Sequence, residues 1–345
     1  MNAGTQLPGN GGPSEESLRP NTIMGNFYSL FPSLAMLAGM KLELFTPLKD
    51  GPMTARALAE ALKVRENKLT PLLYLLVTAG LLKMENNSFS NTEEAHEFLV
   101  NGRPNYIGGQ NAFFTSLLEI GLKSAESVKS GQPQAKHDFQ DLSEEELLAY
   151  FRRQVHSSLA AGREIAEKLD FSQFQSLLDA GGGSGGVAMA ICRQYPRLKA
   201  SVADLPKVAK LAKLFIDEAG LADRINVTPA DLCSEPLTGK YDAAILRALI
   251  QTLSKAEAQK CLKFVGQAMS PGGRIFIFGN VMDDSHLGPP AALAFSLVFL
   301  NTYDDGQAYT EKEYRQMLTE AGFAGISVEH GILGDGGSLV SAVKG

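Results

Sequence analysis

Apolar residues keep two different rhythms along this chain of 345 residues. From Asn21 to about Asp170 they recur at three and four, the helix period, through IMGNFYSLFPSLAMLAGMKLELF, ARALAEALKV, ENKLTPLLYLLVTAGLL and EEELLAYFRRQVHSSLAAGREIAEKL. Within this half, residues 51–92 run helix, short turn, helix and then KMENNSFSNT, a hairpin with an Asn-Asn turn. That order is a winged-helix outline. From Phe174 onward strand-like and helix-like runs alternate. Strands are expected at 176–181, 198–205, 225–232, 241–247, 273–281, 324–333 and 338–344, with helices between the first six. Only GDGG separates the last two, too little for a parallel crossover, so the last strand must run antiparallel to its neighbour. The expected fold class is α/β: a Rossmann-like, mostly parallel sheet with an antiparallel last strand, preceded by an all-α, winged-helix domain. The divisions fall at a loose Gly-, Pro- and Ser-rich tail over 1–20, a helical domain over 21–170 and a sheet domain over 171–345.

Composition narrows the class. Hydrophobic residues make up 44% and charged residues 20%, as in globular domains. A net charge of -6 argues against a nucleic-acid surface spread over the molecule. The second helix of the winged-helix pair carries Arg65 and Lys68 beside Glu66 but is otherwise PLLYLLVTAGLL, with no row of polar side chains for base edges. No nucleic-acid partner is expected. Cys192, Cys233 and Cys261 are far apart and form no CxxC pair, which reads as reduced core thiols in a cytoplasmic protein. The start has neither a basic n-region nor an apolar h-region. No uninterrupted apolar run nears the ~18 residues of a membrane span, so none is expected.

The first strand of the second half ends in DAGGGSGG. Gly181, Gly183 and Gly186 satisfy GxGxxG, and Asp204 closes the next strand, where an acid can hold two ribose hydroxyls. Alone, this fits NAD and S-adenosylmethionine equally. Asp179, just before the glycines, favours the second: a carboxylate accepts a hydrogen bond from the amino group of a methionine moiety and repels a pyrophosphate. Asp231, in PADLC, is placed to take an adenine amino group, and the terminal antiparallel hairpin points the same way. The competing reading is that Asp204 and Asp231 each only cap the start of the next helix. The Asp pairs at 283–284 and 304–305 read as solvated loops, and no metal is expected.

The fourth strand of that half, YDAAILR, runs into LRALIQTLS. Reacting groups gather at such strand ends in open α/β sheets. Arg247, Gln251 and Thr252 include no competent general base at neutral pH.

Taken in order, LLDAGGGSGG, ADLPKV, PADL, ILRALI and SPGGRIFIF behind a helical winged-helix half resemble the S-adenosylmethionine-dependent O-methyltransferases of the caffeate, hydroxyindole and hydroxyneurosporene type, over roughly residues 25–345. The resemblance implies a homodimer whose helical, dimerisation halves interlock and shape the acceptor pocket. It implies S-adenosyl-L-methionine as donor, leaving S-adenosyl-L-homocysteine, held by Asp179, Gly181 and Gly183 in the loop. Asp204 and Leu205 match the ribose side, Asp231 and Leu232 the adenine side, and Arg247 a basic position beside the donor. The chain departs from that family where its base-catalysed members place a His four residues after the Lys or Arg. Here stands Gln251, and Gly279 and Ala308 stand where two carboxylates orient that His.

Methyl transfer from a sulfonium mainly requires a close, aligned nucleophile, and proximity can supply about 7–11 kcal/mol of the barrier. A base adds typically about 10²–10⁴-fold. Without one, an acidic phenol, an enol or activated carbon, or an amine becomes the fitting acceptor. His156, in YFRRQVHSSLAAG, is the alternative base; His286 sits in a loop, and His96 and His137 in segments expected to be exposed. Met24, Phe27, Phe31, Asn111, Phe114, Phe295, Phe299 and Asn301 are the candidate lining of a pocket for a flat, largely apolar aromatic or polycyclic acceptor. The reading is O-methylation by proximity. Its rivals are C- or N-methylation and a binding protein that kept the fold without turnover.

Overall fold

The computed structural model describes residues 18–136, 142–334 and 336–345. The chain divides into two compact units, one up to Leu117 and one from Leu118. The first opens with α1 (Asn21–Tyr28) and α2 (Leu30–Lys41), then β1 (Met53–Thr54), α3 (Ala55–Leu62) and α4 (Glu66–Thr78). Thr54 caps α3 by accepting the Ala57 N–H at 3.2 Å. The wing comes next as β2 (Leu82–Glu85) and β3 (Ser88–Asn91), with β1 beside β3. Asn86 and Asn87 both take positive φ, 47° and 60°, the tight hairpin turn that Asn tolerates. The unit continues through α5 (Glu93–Phe98) into α6 (Asn111–Gly121), where the division falls. Leu44, Phe45, Leu58, Leu73 and Leu76 form the centre of its core.

The face formed by α1 and α2 is different. Ile23, Met24, Phe27, Tyr28, Phe31 and Leu34 there are between 38% and 71% exposed. By length and composition alone the stretch Asn21–Lys41, which the run-length rule passes over, is apolar enough to cross a membrane, a test that a soluble protein's helices also pass. The rule misses it because scattered polar residues break the run without lowering its mean hydropathy much.

The second unit adds α7 (Ser124–Ser130) and α8 (Glu144–Lys168), the latter opened by a capping box between Ser143 and Glu146. Strands and helices then alternate: β4 (Ser176–Ala180), α9 (Gly186–Gln194), β5 (Lys199–Asp204), α10 (Pro206–Glu218), β6 (Ile225–Pro229), β7 (Tyr241–Arg247), α11 (Lys255–Ala268), β8 (Met269–Gly279), α12 (Pro290–Thr302), α13 (Glu311–Glu320), β9 (Phe323–Glu329) and β10 (Ser338–Lys344). The sheet order is β6-β5-β4-β7-β8-β10-β9, parallel except that β10 runs antiparallel to both β8 and β9. Alternating residues face opposite layers. Leu177, Ala243, Ile245, Phe276 and Phe278 pack with α8, α9 and α10, while Leu178, Ala244, Leu246, Ile275 and Ile277 pack with α11 and α13.

Two expectations change. No helix joins β6 to β7: residues 230–240 form a loop without helix, where Pro236 and Gly239 interrupt the segment. The helix α8, placed by its rhythm with the first half, belongs to the second unit. It lies on α9 through Gly162, where a Cβ would stand 2.7 Å from Ala190 Cβ and 2.9 Å from Val187 backbone.

Candidate active site

The loop between β4 and α9 turns on Gly181 (φ 70°) and Gly183 (φ 57°), conformations that L side chains rarely adopt. Gly186 has a different task. A Cβ there would meet Ser158 Cβ at 2.6 Å, so this glycine lets α9 close onto α8.

Asp179 sits under the loop, 1% exposed, and its Oδ2 accepts the Ala188 N–H at 3.2 Å. Burial pushes its carboxyl up to about 7, further raised by Asp204 and opposed by the Ala188 N–H and the Arg247 charge. Asp204 ends β5 and ties the site together: Oδ2 accepts the Gly183 N–H at 2.8 Å and Oδ1 the Leu205 N–H at 2.7 Å. Burial raises its pKa too, against those two hydrogen bonds. Leu205 is half-buried at the start of α10. Asp231 organises a turn, accepting the Cys233 N–H at 2.9 Å and the Ser234 hydroxyl. Each of its oxygens has a lone pair to spare for another donor. The Leu232 side chain packs in the core, so a ligand there would meet backbone only.

Three residues that the sequence did not single out face this loop from α8. A Cβ built on Gly183 would lie 3.2 Å from Phe151 and 3.7 Å from Gln154 Oε1, and Ser158 meets Gly186. Gln154 Oε1 and the Ser184 hydroxyl of the loop itself are buried without hydrogen-bond partners among the described residues. Buried polar atoms are normally paired. The spacing 151, 154, 158 was the available signal, one stripe of a helix.

These groups fit S-adenosylmethionine. With the donor bound, Asp179 and Gln154 would be acceptors for a methionine ammonium and Asp204 for ribose hydroxyls, with the glycines leaving room for close approach. When bound, the donor supplies an electrophilic methyl group on a sulfonium. Among the described residues no group of three or more His, Cys, Asp and Glu is gathered as metal ligands.

At the end of β7, Ala248 takes a positive φ of 56° while its N–H meets Phe278 O at 2.8 Å. This uncommon conformation swings the chain into a short 3₁₀ turn, Ile250–Thr252. Gln251 lies in that turn, 7% exposed, and its Oε1 accepts the Asn280 N–H at 2.9 Å. A Cβ on Gly279 would stand 2.6 Å from that Oε1. Gln251 and Gly279 therefore depend on one another, since the amide occupies space that a side chain at 279 would need. Ala308 is buried at 1%.

Several expected residues stand elsewhere. His156 is exposed on the opposite edge of α8, beside Arg152, Arg193 and Glu218, because residues 151, 154 and 158 take the face towards the loop. It is corrected from alternative base to surface histidine. His286 is exposed, His96 is half-buried beside Arg103, and His137 lies outside the described residues. Asn301 is fully buried and pins α12 to α7: its Oδ1 accepts the Ser127 hydroxyl at 2.7 Å and its Nδ2 donates to Ser124 Oγ at 2.9 Å. It is structural and does not line a pocket. Phe299 is 3% exposed and stacks between Phe295 and Tyr303, so it too is mainly packing. Met24, Phe27, Phe31, Asn111 and Phe114 belong to the first unit, where Asn111 Nδ2 donates to Leu37 O at 2.7 Å and Phe114 packs on the core.

Known proteins resemble this chain over both of its units. The O-methyltransferase dimerisation domain matches residues 27–101 and the O-methyltransferase domain residues 129–324. The chain is 28% identical over 323 residues to 3-hydroxy-5-methyl-1-naphthoate 3-O-methyltransferase of Streptomyces sahachiroi, covering 91% of this chain and 92% of that one. It is 29% identical to the N,N-dimethyltransferase OxyT of Streptomyces rimosus, covering 90% and 92%. Its fold is similar to that of human N-acetylserotonin methyltransferase in complex with SAM, at 23% identity and a TM-score of 0.72, covering 96% and 99%. The chain belongs to the O-methyltransferase family, an S-adenosylmethionine-dependent methyltransferase with a dimerisation domain ahead of its catalytic one.

Proposed function

We propose that the chain methylates an oxygen of a small aromatic or polycyclic acceptor by holding it aligned with the donor, without a histidine base. The carrying observation is the turn after β7, where Gln251, an amide, fills the space over Gly279. Asp179, Gly181, Gly183, Asp204, Leu205, Asp231, Leu232 and Arg247 are the residues assigned to the donor, with Gln154 added from α8. For an apolar acceptor the second unit offers Phe295, and Met24, Phe27, Phe31 and Phe114 are the apolar candidates on the first unit, each taken by itself. Holding the reacting atoms in line is the part of the catalysis that this arrangement supplies.

A second copy of the chain is the proposed cover for the apolar face of α1 and α2, giving a homodimer in the cytoplasm. Its support is the dimerisation domain match together with the exposure of Ile23, Phe27 and Tyr28.

The 29% identity to an N,N-dimethyltransferase favours a second reading, transfer to nitrogen; transfer to an activated carbon is the further alternative left by the amide at Gln251. Incubation with S-adenosylmethionine and a panel of phenols, enols and amines, followed by identification of the methylated atom, separates these readings. Methylated oxygen is expected. Turnover only on amines or carbon sinks the oxygen reading, and binding of S-adenosylhomocysteine with no turnover at all favours a sensor.

A further inference from the structure

We infer that the acceptor is taken as an oxygen anion, an ionised phenol or enol, and that the Gln251 Nε2–H group donates a hydrogen bond to it at the end of β7. This deepens the oxygen reading above and rests on it. A backbone N–H can be met only by an acceptor, so the contact from Asn280 N at 2.9 Å fixes which end of the Gln251 amide is oxygen. The residue is boxed in. Glycine faces it on both sides: a Cβ on Gly279 would stand 2.6 Å from its Oε1, and one on Gly306 would stand 2.8 Å from its backbone carbonyl. Its Nε2 is left with no hydrogen-bond partner among the described residues. An amide NH₂ offers protons and takes none. The turn therefore presents a donor where a base would present an acceptor, and a donor is matched by an anion through a charge-assisted bond.

The charged and titratable groups on the surrounding elements are Arg247 on β7, Asp283 and Asp284 after β8, and Tyr303, Asp304, Asp305 and Tyr309 after α12, the Tyr309 hydroxyl donating to Leu253 O at 2.7 Å. Asp283 accepts from Ser285 and Leu287, Asp284 caps the Lys312 N–H, Asp304 pairs with Lys136 at 2.8 Å, and Asp305 is exposed. Burial pushes the Tyr303 phenol up to about 12. In the transfer, the acceptor's electron pair forms the O–CH₃ bond while the S–CH₃ bond breaks with its pair left on sulfur. The two opposite charges cancel, and no proton moves.

The test uses full-length protein and two readouts. In the first, protein loaded with S-adenosylhomocysteine is titrated with alizarin, whose visible absorption reports its ionisation. The bound dye is expected to ionise at lower pH than the free dye, with a smaller shift in Gln251→Ala and a reversed one in Gln251→Glu. In the second, kcat/KM is followed against pH with S-adenosylmethionine and hydroxyanthraquinones and naphthols of graded acidity. The midpoint is expected to move with each acceptor's own pKa. Gln251→Ala should lower kcat/KM by about 10²-fold, and Gln251→Glu, isosteric but charged, by at least about tenfold more. Melting temperature and S-adenosylhomocysteine affinity verify that both variants fold. Oxygen turnover with Gln251→Glu equal to or faster than Gln251→Ala overturns this inference alone, as does one fixed midpoint for all acceptors. If no oxygen acceptor binds or turns over, the oxygen reading falls and takes this inference with it.

Discussion

Asp179 is the residue where sequence, burial and chemistry meet. Its carboxyl is raised from the ordinary 3.8 to about 7 by burial, so between about pH 4 and 7 the folded chain holds a proton that the unfolded chain has released. The stability of the donor-free protein accordingly falls as pH rises through that window. A cationic ammonium beside the carboxyl favours its ionised form. Donor binding should therefore release a proton below about pH 7, and affinity should climb with pH and level off above it. Asp179→Asn is predicted to abolish that slope and weaken binding at pH 8, while raising the melting temperature of the donor-free protein there by about 2–4 °C. Calorimetry with S-adenosylhomocysteine at pH 6, 7 and 8, with thermal melts beside it, measures both. An unchanged slope in the variant would place the titrating group elsewhere. Gln251 and Gly279 teach a related lesson: their contact makes two replacements in the sequence one structural event.

Between elements, the closest approach that matters for the site is α8 on α9. Gly162 and Gly186 remove side chains where the helices touch, and Ser158 is buried between them. The same contact carries Phe151 and Gln154 to the glycine loop. Gly162→Ala tests it. In a free helix this change would stabilise by about 1 kcal/mol. Here the new Cβ would stand 2.7 Å from Ala190 Cβ and 2.9 Å from Val187 backbone. Overpacking of this kind costs about 1–3 kcal/mol, so the sign should reverse. Denaturant unfolding is expected to show net destabilisation together with weaker S-adenosylhomocysteine binding. A more stable variant would mean that α8 sits less tightly on α9 than these distances state.

For the molecule as a whole, the question is what covers α1 and α2. Large apolar side chains there, among them Phe27 at 53% and Tyr28 at 58% exposed, form a patch of the kind that monomers seldom leave open. Light scattering coupled to size-exclusion chromatography should give twice the chain mass for the wild type. The double variant Phe27→Glu/Phe31→Glu should run as a monomer with the secondary structure intact, because neither residue belongs to the core of the first unit. A wild-type monomer would leave the dimer reading without support.

Much of this protein was legible in the chain itself. The switch of apolar rhythm located the sheet, GDGG required the antiparallel β10, and Asn-Asn marked the wing, because each is a local rule of period, loop length or turn chemistry. The turn after β4 was equally local, since its glycines and Asp179 lie within a few residues of one another. Other features rested on distant contacts. Helical periodicity placed α8 with the first half, but its packing partner α9 lies in the second. His156 and Gln154 are two positions apart on that helix, and only packing decided which one faces the loop. Asn301 looked like a pocket residue until its amide was found bonded to Ser124 and Ser127. Sequence determines what each residue can donate, accept or bury; tertiary structure decides what it meets, because the partners come from segments far apart in the chain.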